Sequence, residues 1–492
     1  MMIVSQPQTR KIILLILKIF WVWLMLQFFL QTFVTFELWW NNIIWKIIWA
    51  WKEILIVMWA GLIIYVFAKN INCKNAQWLK SDIINRRYQL KLNQMPIIKF
   101  IIVFLLTTIL TLIISLLINR VWISNYILSA KYNLIGFFIF ILSFTIARLF
   151  LNVEDLKIVN RYNKLFKVAL VGAFFWWIMV WLMPNFLKFF GYDWLNYEWT
   201  IWEAPPAAYY TMINQWAVRN QFLFERPISF GFFLVALWPV FFMGVLKWKW
   251  KKQVWWWSIF YGIIVLSTLS RAAIWVWLLI TMIMILLINF DKIKKIFWKL
   301  ILPLLILIGA WGMFFYQNSG DRIHSNVWHI QLPLEWIDII ADNGIFGRWA
   351  GYAGPASHQV CYNNLQDPKC QQIKNINDKY EITTIGFNPE NQYIQIWIEY
   401  GLFGFLGRMI MFVWLHIIGY QVWMDQKSKK FGKNIRANGR IIIWLSLWIL
   451  GLAIEGMVLH SFVDRMIVYP FMALFGLSYA LYYKQTHERN IN

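Results

Sequence analysis

Between Asn388 and Gly404 a polar segment turns into an apolar helix, and three of its polar side chains are spaced to share one face. Gln392, Gln395 and Glu399 fall at i, i+3 and i+7, so two carboxamides and a carboxylate line one side of a helix about to enter hydrocarbon. Such groups can hold and activate a hydroxyl. Glu390, just before the helix, and Glu399, about two turns into it, are the two candidate general bases. Asn391 stands at the entry between them. The other chemistry-bearing set is cationic. Arg219, Arg226, Arg271, Arg322 and Arg348 stand at or near ends of apolar runs, and guanidinium forks suit bidentate binding of a diphosphate. Arg271 interrupts a long apolar stretch, where a charge is costly unless it reaches a partner or water. Arg322 and Arg348 lie in a hydrophilic stretch, where a solvated arginine needs no special role. His358 and His460 are further acid–base candidates, although a lone histidine is more often structural or exposed. Glu455, inside an apolar run, is an intramembrane acid suited to pairing with an arginine.

The elements that position these residues are read from hydropathy and charge. Hydrophobic residues make up 60% of the chain and the mean hydropathy is +0.54, with repeated apolar runs near the roughly 20 residues that span a bilayer. A soluble fold is excluded. The expected class is all-α: a polytopic integral membrane protein of about twelve spans, residues 1–492 forming one membrane domain. The first apolar run, from Ile12 to about Val34, is expected to stay as a helix because it lacks a small-residue cleavage site. The formal charge of +23 is not a nucleic-acid footprint, because Lys and Arg gather in short loops between apolar runs. Basic loops at 69–95, 157–164, 247–252, 292–295 and 427–440 mark the cytoplasmic side. Both termini are then cytoplasmic. Spans are expected at 97–118, 134–151, 165–183, 228–246, 300–316, 392–420, 441–459 and 468–483, and the run 254–290 folds as a hairpin with Arg271 at its outer turn. Residues 317–391 form the one extramembrane piece large enough for a small, mostly helical cap. Within it, Cys361 and Cys370 lie where an oxidising compartment permits a bridge, two free thiols being the alternative; Cys73 is alone in a cytoplasmic loop.

Metal and nucleotide chemistry find no support. No His, Cys, Asp and Glu cluster has ligand spacing, the first outer connector offers only Glu37, and no glycine-rich phosphate loop is followed by Lys-Ser/Thr. Neither a metal nor another cofactor is expected.

Tryptophan is over-represented. The chain has 35 Trp against 24 Gly, and many Trp stand where backbone logic wants glycine, as at Trp275, Trp277 and Trp349. Some bacterial lineages read UGA as glycine, which accounts for the pattern; interfacial tryptophan belts, the alternative, belong at helix ends only.

Several of these motifs carry a resemblance. Asn391-Gln392-Tyr393, Glu399 and Gly401-Leu402-Phe403-Gly404 resemble the signature of the bacterial O-antigen ligases and O-antigen polymerases. Ser270-Arg271 and Asn343-Gly344-Ile345-Phe346-Gly347-Arg348 resemble two further motifs of that family, the second more closely with glycine at 349. The resemblance covers the chain from about span five onward, and the large outer loop before span ten agrees with it. It implies transfer of a glycan from an undecaprenyl-diphosphate carrier to a glycan, lipid or protein acceptor, outside the cytoplasm, at the bacterial inner membrane, with no nucleic acid involved. By resemblance, Arg271 binds the diphosphate, Arg219 or Arg226 forms a second clamp, and Arg348, Asn391, Gln392, Gln395 and His358 belong to the substrate site. Glu390 departs from the family, which places a histidine there, so the base is open and so is the choice between ligase and polymerase. A polysaccharide or lipid transporter is the competing class. Its two six-span halves and midplane polar groups fit less well, since here the polar groups gather at the outer rim.

Overall fold

The computed structural model describes residues 96–150, 227–246, 251–293, 344–348, 350–363, 391–428, 433–457 and 465–488, with isolated positions elsewhere. Among them all regular structure is helical, as it must be for backbone amides and carbonyls that cannot turn to water. The helices are α1 (Pro96–Ile113), α2 (Ile123–Asn133), α3 (Ile135–Phe150), α4 (Pro227–Leu246), α5 (Lys251–Ser267), α6 (Arg271–Ile293), α7 (Gly354–Asn363), α8 (Gln392–Ser428), α9 (Lys433–Glu455) and α10 (Arg465–Tyr483). α1 runs on into a wider turn, Ile114–Ile118, and α10 into another, Lys484–Glu488.

Among the described residues three stretches, Ile97–Ile118, Gln392–Lys427 and Asn438–Glu455, are long and apolar enough to cross a bilayer; α2 and α3 make a fourth if counted together across their 69° bend. The chain is thus an all-helical protein with a few long apolar helices suited to a membrane. One face of α1 and of the turn after it, including Leu106 (63% exposed) and Leu117 (73%), is left uncovered, as hydrocarbon-facing leucines would be.

Packing follows small residues that let helices approach closely. α3 and α10 run side by side along their length: Gly136 lies on Val468, Phe140 meets Phe475 edge-on at 5.2 Å, and Arg148 sits over the Tyr483 ring at 5.7 Å. α8 and α9 form an antiparallel pair in which Gly419 lies on Ser446 and His416 bonds the Ser446 hydroxyl at 3.1 Å. Gly404 and Gly407 of α8 rest on Thr111 and Thr107 of α1. In α4, Gly231 touches Ala273 of α6. The expected hairpin around residue 270 is present: α5 ends at Ser267, a turn of buried Thr268, half-buried Leu269 and buried Ser270 follows, and Arg271 opens α6.

α2 has no counterpart among the expected spans. It is short and polar, and the chain bends by 69° between α2 and α3 at Leu134, whose N–H still donates to the Ala130 carbonyl. Cys361 and Cys370 are joined as a disulfide, and both belong to a small apolar cluster with Val121, Trp336, Tyr352 and Ile398. The short helix α7 packs on α2.

Candidate functional site

α8 is two helices joined at Gly401, whose φ of 66° and ψ of −169° open the backbone just where the sequence reads Gly-Leu-Phe-Gly. The segment 344–348 passes through the gap. Leu402 N–H donates to the carbonyls of Gly344 (3.0 Å) and Ile345 (3.1 Å), the Trp397 indole donates to Gly344 O (2.8 Å), and Arg348 N–H donates to Ile398 O (2.7 Å). The freed backbone groups of the break are thereby partnered inside the protein. Glycine is required on both sides of the crossing: a Cβ on Gly401 would stand 2.3 Å from Ile345 O, and one on Gly347, φ 71°, would stand 2.5 Å from Gly401 N. Asn119, after α1, adds a side-chain bond to Phe346 O at 3.3 Å.

Glu399 sits just before the break and is fully buried. Ser129 Oγ (2.8 Å) and Asn133 Nδ2 (2.6 Å), one turn apart on α2, both donate to its Oε2. Gly351 N–H donates to Oε1 at 3.1 Å, and the Ala353 backbone also bonds the carboxylate. The Tyr400 hydroxyl is hydrogen-bonded to Ser129, and the Arg408 guanidinium lies over the Tyr400 ring at 5.7 Å, near enough to act electrostatically on Glu399. Tyr126 meets Tyr400 edge-on and bonds Thr111 Oγ1 (3.0 Å) and Thr108 O (2.9 Å). The Glu399 carboxylate thus ties α8 to α2 and to the turn that follows Arg348, and Tyr126 ties α2 to α1.

The sequence candidates separate clearly. Gln392, Gln395 and Glu399 are buried, as the shared face requires. Gln395 lies against Gly354, where a Cβ would stand 2.3 Å from its Nε2, and among the described residues neither atom of its carboxamide has a hydrogen-bond partner. Gln392 N–H donates to Gly456 O (2.9 Å) at the end of α9. Asn391 caps α8, its Oδ1 accepting from Tyr393 N–H (3.0 Å) and Ile394 N–H (3.1 Å) while its Nδ2 donates to Met457 O (2.7 Å). Arg348 is half-buried beside the Tyr352 ring at 5.9 Å; burial pushes the Tyr352 phenol up to about 12, with the Arg348 charge pulling the other way. Arg271 is half-buried at the start of α6, next to the fully or nearly fully buried Thr268 and Ser270. Leu269 in that turn is held at φ 49°, a conformation that L side chains rarely adopt. Glu390, Arg219, Arg226, Arg322 and His460 lie outside the described residues, as does the His358 side chain, whose backbone belongs to α7.

Four members of the Glu399 cluster escaped sequence reasoning: Ser129, Asn133, Tyr400 and Arg408. The signal for the first two is the Tyr126, Ser129, Asn133 stripe at i, i+3, i+7, which a search for apolar windows passes over. Arg408 carries the same signal as Arg271, a charge inside an apolar run.

Among the described residues no three His, Cys, Asp or Glu side chains come together as a metal site. Fold and site define an all-helical, membrane-associated protein with a buried polar cluster at the broken helix. No known protein-family model matches the chain, and no curated protein matches it.

Proposed function

We propose that the chain is a membrane glycosyltransferase of the O-antigen ligase and polymerase type, with about twelve spans, cytoplasmic termini and an extracytoplasmic cap over 317–391 in a bacterial inner membrane. The observation that supports it best is the crossing at Gly401. Two segments far apart in sequence, each resembling a motif of that family, fit together through paired glycines, and Glu399 locks the turn that follows.

In this reaction an acceptor hydroxyl oxygen attacks the anomeric carbon of a lipid-linked glycan. The bond from that carbon to the diphosphate oxygen breaks, the lipid diphosphate leaves with the electron pair, and the hydroxyl proton passes to a base. Arg271 binds the diphosphate and stabilises the charge that grows on it, with Arg219 or Arg226 as a second clamp and Arg348 at the rim. Glu390 is the candidate base. Glu399 is assigned a positioning role, because donors on both carboxylate oxygens occupy it. Gln395, buried with an unpartnered carboxamide, can receive an acceptor hydroxyl.

The test is the Arg271→Ala variant in cells lacking the native copy. We expect the protein to insert at normal abundance and mature surface glycan to disappear. Unchanged glycan in that strain would rule the assignment out.

A further inference from the structure

The wider turn after α1 closes with a backbone that glycine usually serves. Asn119 N–H donates to Ile114 O at 3.0 Å and Val121 N–H reaches back to Ser115 O at 2.9 Å, the kind of paired bonds that end a helix around a left-handed residue. That residue is Arg120, at φ 52°. Glycine adopts this conformation freely while a side chain makes it costly, so an arginine here points to a use for its guanidinium. Arg120 is exposed, and among the described residues no carboxylate pairs with it.

Two anchors fix this corner. Asn119 Nδ2 donates to Phe346 O at 3.3 Å, two residues before Arg348. Val121 is buried in the cluster that holds Tyr352 and Ile398, and the Arg348 guanidinium lies beside the Tyr352 ring at 5.9 Å. The residues on both sides of Arg120 are therefore fastened to the neighbourhood of the crossing at Gly401. An apolar stripe leads to it along α1. Ile102, Leu106, Ile109, Ile113 and Leu117 recur every three or four residues and are all exposed, while Thr107 and Thr111 take the opposite face against Gly407 and Gly404 of α8. The stripe occupies most of Ile97–Ile118, a stretch long enough to cross a bilayer.

An exposed guanidinium at the end of an exposed apolar stripe matches an amphiphile with a hydrocarbon tail and a phosphate head. We propose that it seats a lipid-borne acceptor: a second polyprenyl-diphosphate-linked glycan, with its tail along α1 and its diphosphate at Arg120. Charge complementarity selects the phosphate, and the tie from Asn119 to Phe346 sets it near the broken helix rather than elsewhere on the apolar surface. In the transfer step the acceptor keeps its own diphosphate bond. One of its sugar hydroxyls attacks the donor's anomeric carbon, and only the donor's lipid diphosphate leaves. The inference rests on the proposed function for its substrate class and narrows it to the joining of two lipid-linked molecules.

The experiment uses the full-length protein in phosphatidylcholine nanodiscs, titrated with undecaprenyl diphosphate and, separately, with phosphatidylglycerol. We expect wild type to bind two molecules of undecaprenyl diphosphate. Arg271→Ala should remove one; Arg120→Gly should weaken the other about tenfold or more and leave the first within about twofold. Because glycine suits φ 52°, Arg120→Gly should melt no lower than wild type, which separates lost binding from lost folding. Arg120→Lys, which keeps the charge, should retain part of the second site. A single bound molecule that Arg271→Ala removes, or two that Arg120→Gly leaves unchanged, overturns the acceptor seat while the transferase reading stands. Phosphatidylglycerol filling the Arg120 site as tightly as undecaprenyl diphosphate also overturns it, as a general lipid contact. Wild type that binds no undecaprenyl diphosphate overturns both.

Discussion

The side chain with most dependants is Glu399. Its carboxylate accepts from Ser129, Asn133 and Gly351, so Glu399→Ala leaves buried donors on α2 and on the turn without an acceptor. We expect a loss of about 2–4 kcal/mol, read as a lower thermal midpoint in detergent, with Glu399→Gln costing less. Tyr352, beside Arg348, gives a pH signature. Its pKa is raised in the folded state from 10.0 to about 12, so the folded chain keeps a proton that the unfolded chain sheds. The sign is fixed: this contribution to stability is full below about pH 10 and is lost as pH rises through about 12. Between those values the melting midpoint of wild type should fall more steeply than that of Tyr352→Phe. Tryptophan is testable at the same scale. The indole N–H groups of Trp277 and Trp448 are buried without acceptors, which is unfavourable for tryptophan and of no consequence for glycine. Peptide mass spectrometry of the native protein should find glycine at 275, 277 and 349; tryptophan at those positions would exclude the UGA explanation.

At the scale of elements, the break in α8 decides the geometry. Gly401→Ala would force a Cβ against Ile345 O from a backbone conformation that alanine resists, and we expect a cost of at least about 2 kcal/mol together with loss of the proposed transfer activity. The Gly-Leu-Phe-Gly run was legible as a motif, but its work as a crossing point was not, because the partner segment 344–348 is distant in sequence and the contacts are mostly backbone to backbone. α1, α4, α5, α6, α9 and α10 were legible from hydropathy and charge, since in hydrocarbon an apolar run has little choice but helix. α2 was not, because its sequence is polar and its reason for being helical is the buried carboxylate it serves. For the same reason the shared face of Gln392, Gln395 and Glu399 could be read by spacing, while the groups that meet Glu399 could not.

For the whole molecule, the topology makes a prediction that does not depend on the reaction. Ile345 is exposed beside the crossing, so Ile345→Cys should react with an impermeant maleimide added to intact spheroplasts. Labelling only after permeabilisation would invert the assigned orientation. The disulfide between Cys361 and Cys370 accords with the oxidising compartment proposed for this segment, and both cysteines share the apolar cluster around Ile398. Glycan transfer itself is tested most directly with purified protein in liposomes, a lipid-linked repeat unit and an acceptor glycan, followed on a gel. The account predicts joined glycan, without added nucleotide, from wild type and none from Arg271→Ala. Lipid-linked glycan that crosses the bilayer unjoined would contradict it and identify a transporter instead.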